Sequence, residues 1–179
     1  NAASGSYVAL SLNGELLGAA YVAKGEQSVN VPIKPESTPG EIDVVVTKPR
    51  YKPYFGKITA ILPDKSFLVI MDNPFKNKSM QYGGNASFDV KVNNLGQQAS
   101  QTATVNITST SPHVKSIGAA QTSIPSIGSQ SFQTYTNLCH IELHSNIADG
   151  TKIPFKFTIT EDGRTTKSEF LLNVTAPRL

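Results

Sequence analysis

Cys139-His140 sets a potential thiolate beside an imidazole, the two groups that cysteine-based nucleophilic catalysis requires. Adjacent positions of a strand point to opposite faces, so the two cannot act as a dyad from there. Cys139, Ile141 and Leu143 then share one face and read as ordinary core, and no local cysteine-peptidase signature surrounds the thiol. The opposite face carries His140, Glu142 and His144 at alternate positions. Two imidazoles and a carboxylate are legitimate zinc ligands. The outer pair would span about 13 Å of an extended strand, however, and a solvated polar face is the simpler reading.

A second cluster, Lys48-Pro49-Arg50-Tyr51-Lys52-Pro53-Tyr54-Phe55-Gly56-Lys57, interleaves cations with aromatic rings. Arg50, Tyr51 and Tyr54 are its binding candidates, by stacking on sugar rings or contacting an anionic polymer. The chain has no Trp, the best platform for sugars, and a Pro-stiffened strand entry with packed aromatics explains the same residues. Asp72-Asn73, Asp149-Gly150 and Glu161-Asp162-Gly163 could surround Ca²⁺, but turn chemistry accounts for each. Asn77, Asn85, Asn106 and Asn173 begin glycosylation sequons, which arise by chance in so Asn/Ser/Thr-rich a chain. No P-loop, dinucleotide fingerprint, nucleophile elbow, zinc-peptidase motif or CxxC pair occurs. We therefore expect no catalytic set, no cofactor and no enzyme activity from this chain.

The elements that would carry these residues are short strands. Tyr7–Leu12 alternates, and Asn13-Gly14 is a strong hairpin signal because both residues tolerate the positive φ of a type I′ turn. Strands at 15–22, 27–31, 42–47 and 54–61 complete a small antiparallel sandwich over residues 1–64. After a connection at Leu62-Pro63-Asp64-Lys65, a second sandwich of about seven strands fills residues 65–179. Its clearest strands are 67–71, 86–93, 101–108, 130–137, 138–144 and the closing hairpin 152–160/166–174. No stretch has helical periodicity, so the expected fold class is all-β, two tandem immunoglobulin-like β-sandwiches. A sandwich of about 60 residues buries only about 60% of its unfolded surface, so the first should lean on a neighbour.

Composition narrows the function classes. The 179 residues are 39% hydrophobic and 16% charged, which suits a folded chain rather than a disordered one. Residues 1–64 balance six basic against six acidic side chains, and the net +3 is spread over the rest. That is no basic stripe, and no nucleic-acid partner is expected. One cysteine rules out an internal disulfide but not export. No apolar run is long enough to span a bilayer. The Asn1-Ala2 start without Met leads us to expect a piece of something longer.

Two segments resemble a known family. Gly18–Val31, then Ile42–Val46, then Arg50-Tyr51-Lys52-Pro53-Tyr54-Phe55-Gly56-Lys57-Ile58 resembles the small immunoglobulin-like domain that follows the catalytic domain of gingipain-type cysteine peptidases. Val90–Gly96, with its Asn-x-Gly turn, Ser109–Val114 and Ile147–Phe155 resemble the adjacent β-sandwich of such tails. The resemblance implies a C-terminal part of a secreted Bacteroidetes protein, at the cell surface or in the medium. An upstream peptidase domain of the same chain would be its partner. This chain would then be a non-catalytic accessory tail that stabilises, spaces or presents that domain. The alternative is an adhesin module that binds host protein or glycan.

Overall fold

The structure, a computed structural model, describes residues 5–33 and 39–176. The described residues form thirteen strands and no helix, so the fold class is all-β as the composition required. The chain divides into two compact units, Asn1–Leu62 and Pro63–Leu179.

The first unit holds β1 (Ser6–Leu12), β2 (Glu15–Val22), β3 (Gly40–Thr47) and β4 (Tyr54–Ala60) in one antiparallel sheet ordered β2-β1-β3-β4. The β1–β2 hairpin turns at Asn13 and Gly14, with φ of 51° and 83°, the left-handed pair that a type I′ turn needs. The expected strand at 27–31 is absent. A turn at Ala23–Glu26, closed by the Glu26 N–H to the Ala23 carbonyl at 3.1 Å, sends the chain across the sheet face instead of along its edge. Val31, Pro32 and Ile33 pass so close to Gly18 that a Cβ there would overlap the Pro32 carbonyl oxygen. Where a five-stranded sandwich was expected, the described residues thus form a single four-stranded sheet with an extended, strandless cover.

Register assigns the faces. Val8, Leu10 and Leu12 stand opposite Val46, Val44 and Ile42, which in turn stand opposite Tyr54, Gly56 and Ile58. Directly opposed residues share a face, so these nine make one apolar surface. Of the large apolar residues described in this unit, only Leu12 and Ile42 are buried.

The second unit is a two-sheet sandwich. One sheet is β10 (Gln121–Ile124), β8 (Ala103–Thr108), β12 (Lys152–Glu161), β13 (Arg164–Thr175) and β6 (Ser79–Gln81) in that order. The other is β5 (Leu68–Val69), β7 (Asn85–Asn94), β11 (Ser131–Leu143) and β9 (Val114–Gly118). Nine strands replace the expected seven because short edge strands close both sheets. The core between them includes Phe88, Val90, Val92, Ile141, Phe155, Phe157 and Leu172, with Phe75 set edge-on to Phe88 at 4.9 Å. The expected strands 130–137 and 138–144 are one strand, β11, whose pairing with β7 slips between Tyr135 and Cys139. Asn137 takes a φ of 56° at the slip, and its N–H donates to Asp89 Oδ1 at 2.8 Å.

Candidate functional site

β11 settles the cysteine. Cys139 is fully buried among core residues, and burial pushes its thiol up to about 12. The thiolate is the nucleophile, so this side chain is chemically inert near neutral pH. The shift also has a stability consequence. The folded state holds the thiol proton more tightly than the unfolded chain, so stability is intact below pH 9 and declines as pH rises towards 12. At pH 10.5 this amounts to about 2 kcal/mol. Burial raises Tyr135 as well, which adds to the loss above pH 10. Urea unfolding at pH 7 and pH 10.5 should show the decline, and Cys139→Val should recover most of it. A variant that loses as much as the parent chain would refute the assignment to Cys139.

The polar face of β11 does not gather its three candidates. His140 Nδ1 lies 2.8 Å from the Ser87 hydroxyl on β7. Glu142 accepts from Lys115 Nζ at 2.6 Å and Ser116 Oγ at 3.0 Å. These hydrogen bonds, the one from Lys115 first, hold its carboxyl below the ordinary carboxylate range. His144 lies beyond the end of the strand, its N–H donating to the His113 carbonyl at 3.0 Å. Among the described residues no three His, Cys, Asp or Glu side chains are grouped to hold a metal. Ser87 and His140 form a hydrogen-bonded pair on an open sheet face.

Three of the turn acids, Asp72, Asp149 and Glu161, are engaged by the protein. Asp72 pairs with Lys91 at 3.2 Å, and Asp149 Oδ1 accepts the Ala176 N–H at 2.7 Å. Glu161, read from sequence as a turn residue, points inward and is buried. The Ser66 hydroxyl lies 2.8 and 3.0 Å from its two oxygens, and the Gln101 N–H donates to Oε1 at 2.7 Å. Arg164 donates to Ser66 Oγ at 3.2 Å and stands 4.0 Å from the carboxylate. A cleft of about 210 Å³ opens beside this cluster, lined also by Phe67, Leu68 and Ile159. Sequence reading missed the carboxylate because its partners lie 95 and 60 residues away.

The basic and aromatic segment is the most exposed of the sequence candidates. Lys48, Pro49, Arg50 and Tyr51 form a turn closed by the Tyr51 N–H to the Lys48 carbonyl at 3.1 Å. Pro49 suits the second position of a type II turn, and the third requires positive φ. Arg50 fills it at φ 67°, a conformation unfavourable for a side chain of this size. Lys48 Nζ sits 4.6 Å from the Tyr51 ring centroid. Tyr51 and Tyr54 are 62% and 63% exposed, and the Tyr54 ring lies along β4 over Gly56. The structure thus puts Arg50 and Tyr51 on the turn and Tyr54 at the start of β4. The aromatics are not packed in a core.

No family model matches the chain, and no curated protein matches it. Three solved structures align over most of its length. A chimeric titin Z1Z2-Z1Z2 tandem carrying a GRGDS peptide from fibronectin shares 11% identity at a TM-score of 0.33, over 96% of this chain and 85% of that one. Domains 4 and 5 of the S-layer protein SbsC share 16% at 0.31, over 97% and 100%. Extracellular domains 3–5 of Drosophila OTK share 12% at 0.30, over 96% and 55%. At TM-scores of this size none of the three identifies a family for this chain.

Proposed function

We propose that this chain is a non-catalytic accessory tail of a larger exported protein, of the gingipain-like cysteine peptidase kind. It would stabilise, space or present the domain upstream, at the bacterial surface or in the medium. The observation that carries this reading is the first unit's apolar face. A sheet is stable when its hydrophobic face packs against a second layer. Here Val8, Leu10, Val44 and Val46 remain half-buried, with the strandless stretch through Val31 to Ile33 across one part of the face. Such a surface suits a module that completes its core against a neighbouring domain of the same protein. An immunoblot of fractionated source cells, with antibody against this chain, tests it. A surface or secreted band far above 19.2 kDa is expected. A band of that mass alone, or peptidase activity from the isolated chain that is lost in Cys139→Ala, would overturn the reading.

A second reading, an adhesin module for host protein or glycan, rests on the conformation of Arg50. A strained residue beside exposed rings is a feature that a bound ligand would explain. Lys48, Arg50 and Lys52 form no ion pair among the described residues, so the ligand would be anionic, such as a sulfated glycan. Arg50→Gly relieves the turn and should stabilise the chain by about 1 kcal/mol. On an array of sulfated glycans the same variant should bind more weakly than the parent, as should Tyr51→Ala and Tyr54→Ala. Stabilisation without any change in glycan binding would leave the adhesin reading without support.

A further inference from the structure

The second unit closes its two sheets with edge strands of two to five residues, β5, β6, β10 and β9. Short edges are a common defence against unwanted strand pairing. The first unit has no such defence on one side. Its β2 edge is interrupted by an irregularity opposite Leu10 and Ser11. Its other edge, β4, is seven residues long, and all seven pair with β3 in unbroken register. β4 contains no proline, and its only charge, Lys57, is held by Glu41 across the neighbouring strand. The side chains along and just past this edge are the most exposed large apolar ones in the described chain, with Phe55 at 73% and Ile61 at 77%.

The sequence around β4 is self-complementary. Folded back on itself about Ile58, it sets Lys57 opposite Thr59, Gly56 opposite Ala60, Phe55 opposite Ile61 and Tyr54 opposite Leu62. Pro53 and Pro63 bracket the stretch, and Lys52 with Asp64 supplies opposite charges outside them. Small residues meet small, apolar meet apolar, and no like charges oppose. Neighbouring two-fold registers lack this match. Centring on Lys57 opposes two ammonium groups, and centring on Gly56 brings Pro53, which has no N–H, into the ladder against Thr59.

We propose that β4 is a dimerisation edge, and that its occupant is β4 of a second copy of this chain, antiparallel, with the two-fold axis at Ile58. The contact is isologous and closes on itself. It joins two four-stranded sheets into one of eight strands. A two-fold axis normal to the sheet keeps both apolar faces on the same side, so the Tyr54, Gly56 and Ile58 surfaces of the two copies become continuous.

Sedimentation over a concentration series tests the association, and engineered cysteines test the register. The intact chain should move from 19.2 kDa towards twice that mass as concentration rises. Ile58→Lys opposes two ammonium groups at the axis and should weaken the dimer about a hundredfold or more. Ile58 is itself half exposed, at 52%, so the sheet should fold with the lysine in place, which circular dichroism checks. Directly opposed residues have Cα atoms about 4.5–5.5 Å apart, within disulfide range, so Ile58→Cys should oxidise to a covalent dimer. Thr59→Cys faces Lys57 and should not, and the native Cys139 is buried and does not compete. A chain that stays at 19.2 kDa into the millimolar range would overturn the proposal. So would a dimer indifferent to Ile58→Lys, or equal cross-linking of the two cysteine variants.

Discussion

Asn94→Asp should remove a large share of the stability of the second unit. Asn94 is 1% exposed, and its amide is saturated. Oδ1 accepts the N–H groups of Phe67 at 2.9 Å and Gly96 at 3.0 Å. Nδ2 faces the carbonyls of Gln98, Ile127 and Gly128 at 2.8, 3.0 and 3.0 Å. One side chain thus ties the entry to β5, the end of β7 and the loop before β11. Aspartate is nearly the same shape, but it would set an acceptor oxygen against three carbonyls and bury a charge with no cation beside it. The cost should be about 3–5 kcal/mol. Asn94→Ala strands two donors and three acceptors and should fall in the same range. Folded domains hold only about 5–15 kcal/mol in total, so either change takes a substantial part of that margin. Urea denaturation followed by circular dichroism measures it, and a loss below about 1 kcal/mol would show that water replaces these bonds at little cost.

Glu161→Ala is the second large effect expected. The carboxylate joins Ser66, the Gln101 N–H and the β12–β13 hairpin at one end of the sandwich. Truncation leaves a backbone N–H and the Ser66 O–H without their acceptor in a buried site, at about 2–4 kcal/mol. Arg164 is nearly half exposed and can turn to water, so no charge is stranded and the cost stays below that at Asn94. Ser66→Ala removes one hydroxyl donor and an acceptor for the half-exposed Arg164, which water can replace, and should cost about 1 kcal/mol. If Ser66→Ala cost as much as Glu161→Ala by the same denaturation assay, the carboxylate would not be the centre of the cluster.

Local chemistry was legible in the sequence, and long-range partnership was not. The Asn13-Gly14 hairpin and the inward-facing Cys139, Ile141 and Leu143 follow from turn propensity and alternation, and the structure has them so. β11 read as two strands because Leu138 and Cys139 are buried in succession at the slip beside Asn137, which breaks the alternation that marks a continuous strand. The stretch 27–31 read as a strand because its apolar residues alternate. Alternation records one covered side and does not say whether a ladder partner exists. The site candidates divide the same way. Exposure of Tyr51 and Tyr54, the inward turn of Glu161 and the engagement of Glu142 by Lys115 each depend on residues that only the fold brings near.

The scant burial of the first sheet fixes an order of events under stress. With Leu12 and Ile42 as the only buried large apolar side chains among its described residues, against the continuous core of the second unit, it has far less to lose on opening. Under heat or proteolysis the first sheet should therefore open before the second unit, which limited proteolysis followed by mass spectrometry checks. The expected fragment that survives longest is the second unit, Pro63–Leu179.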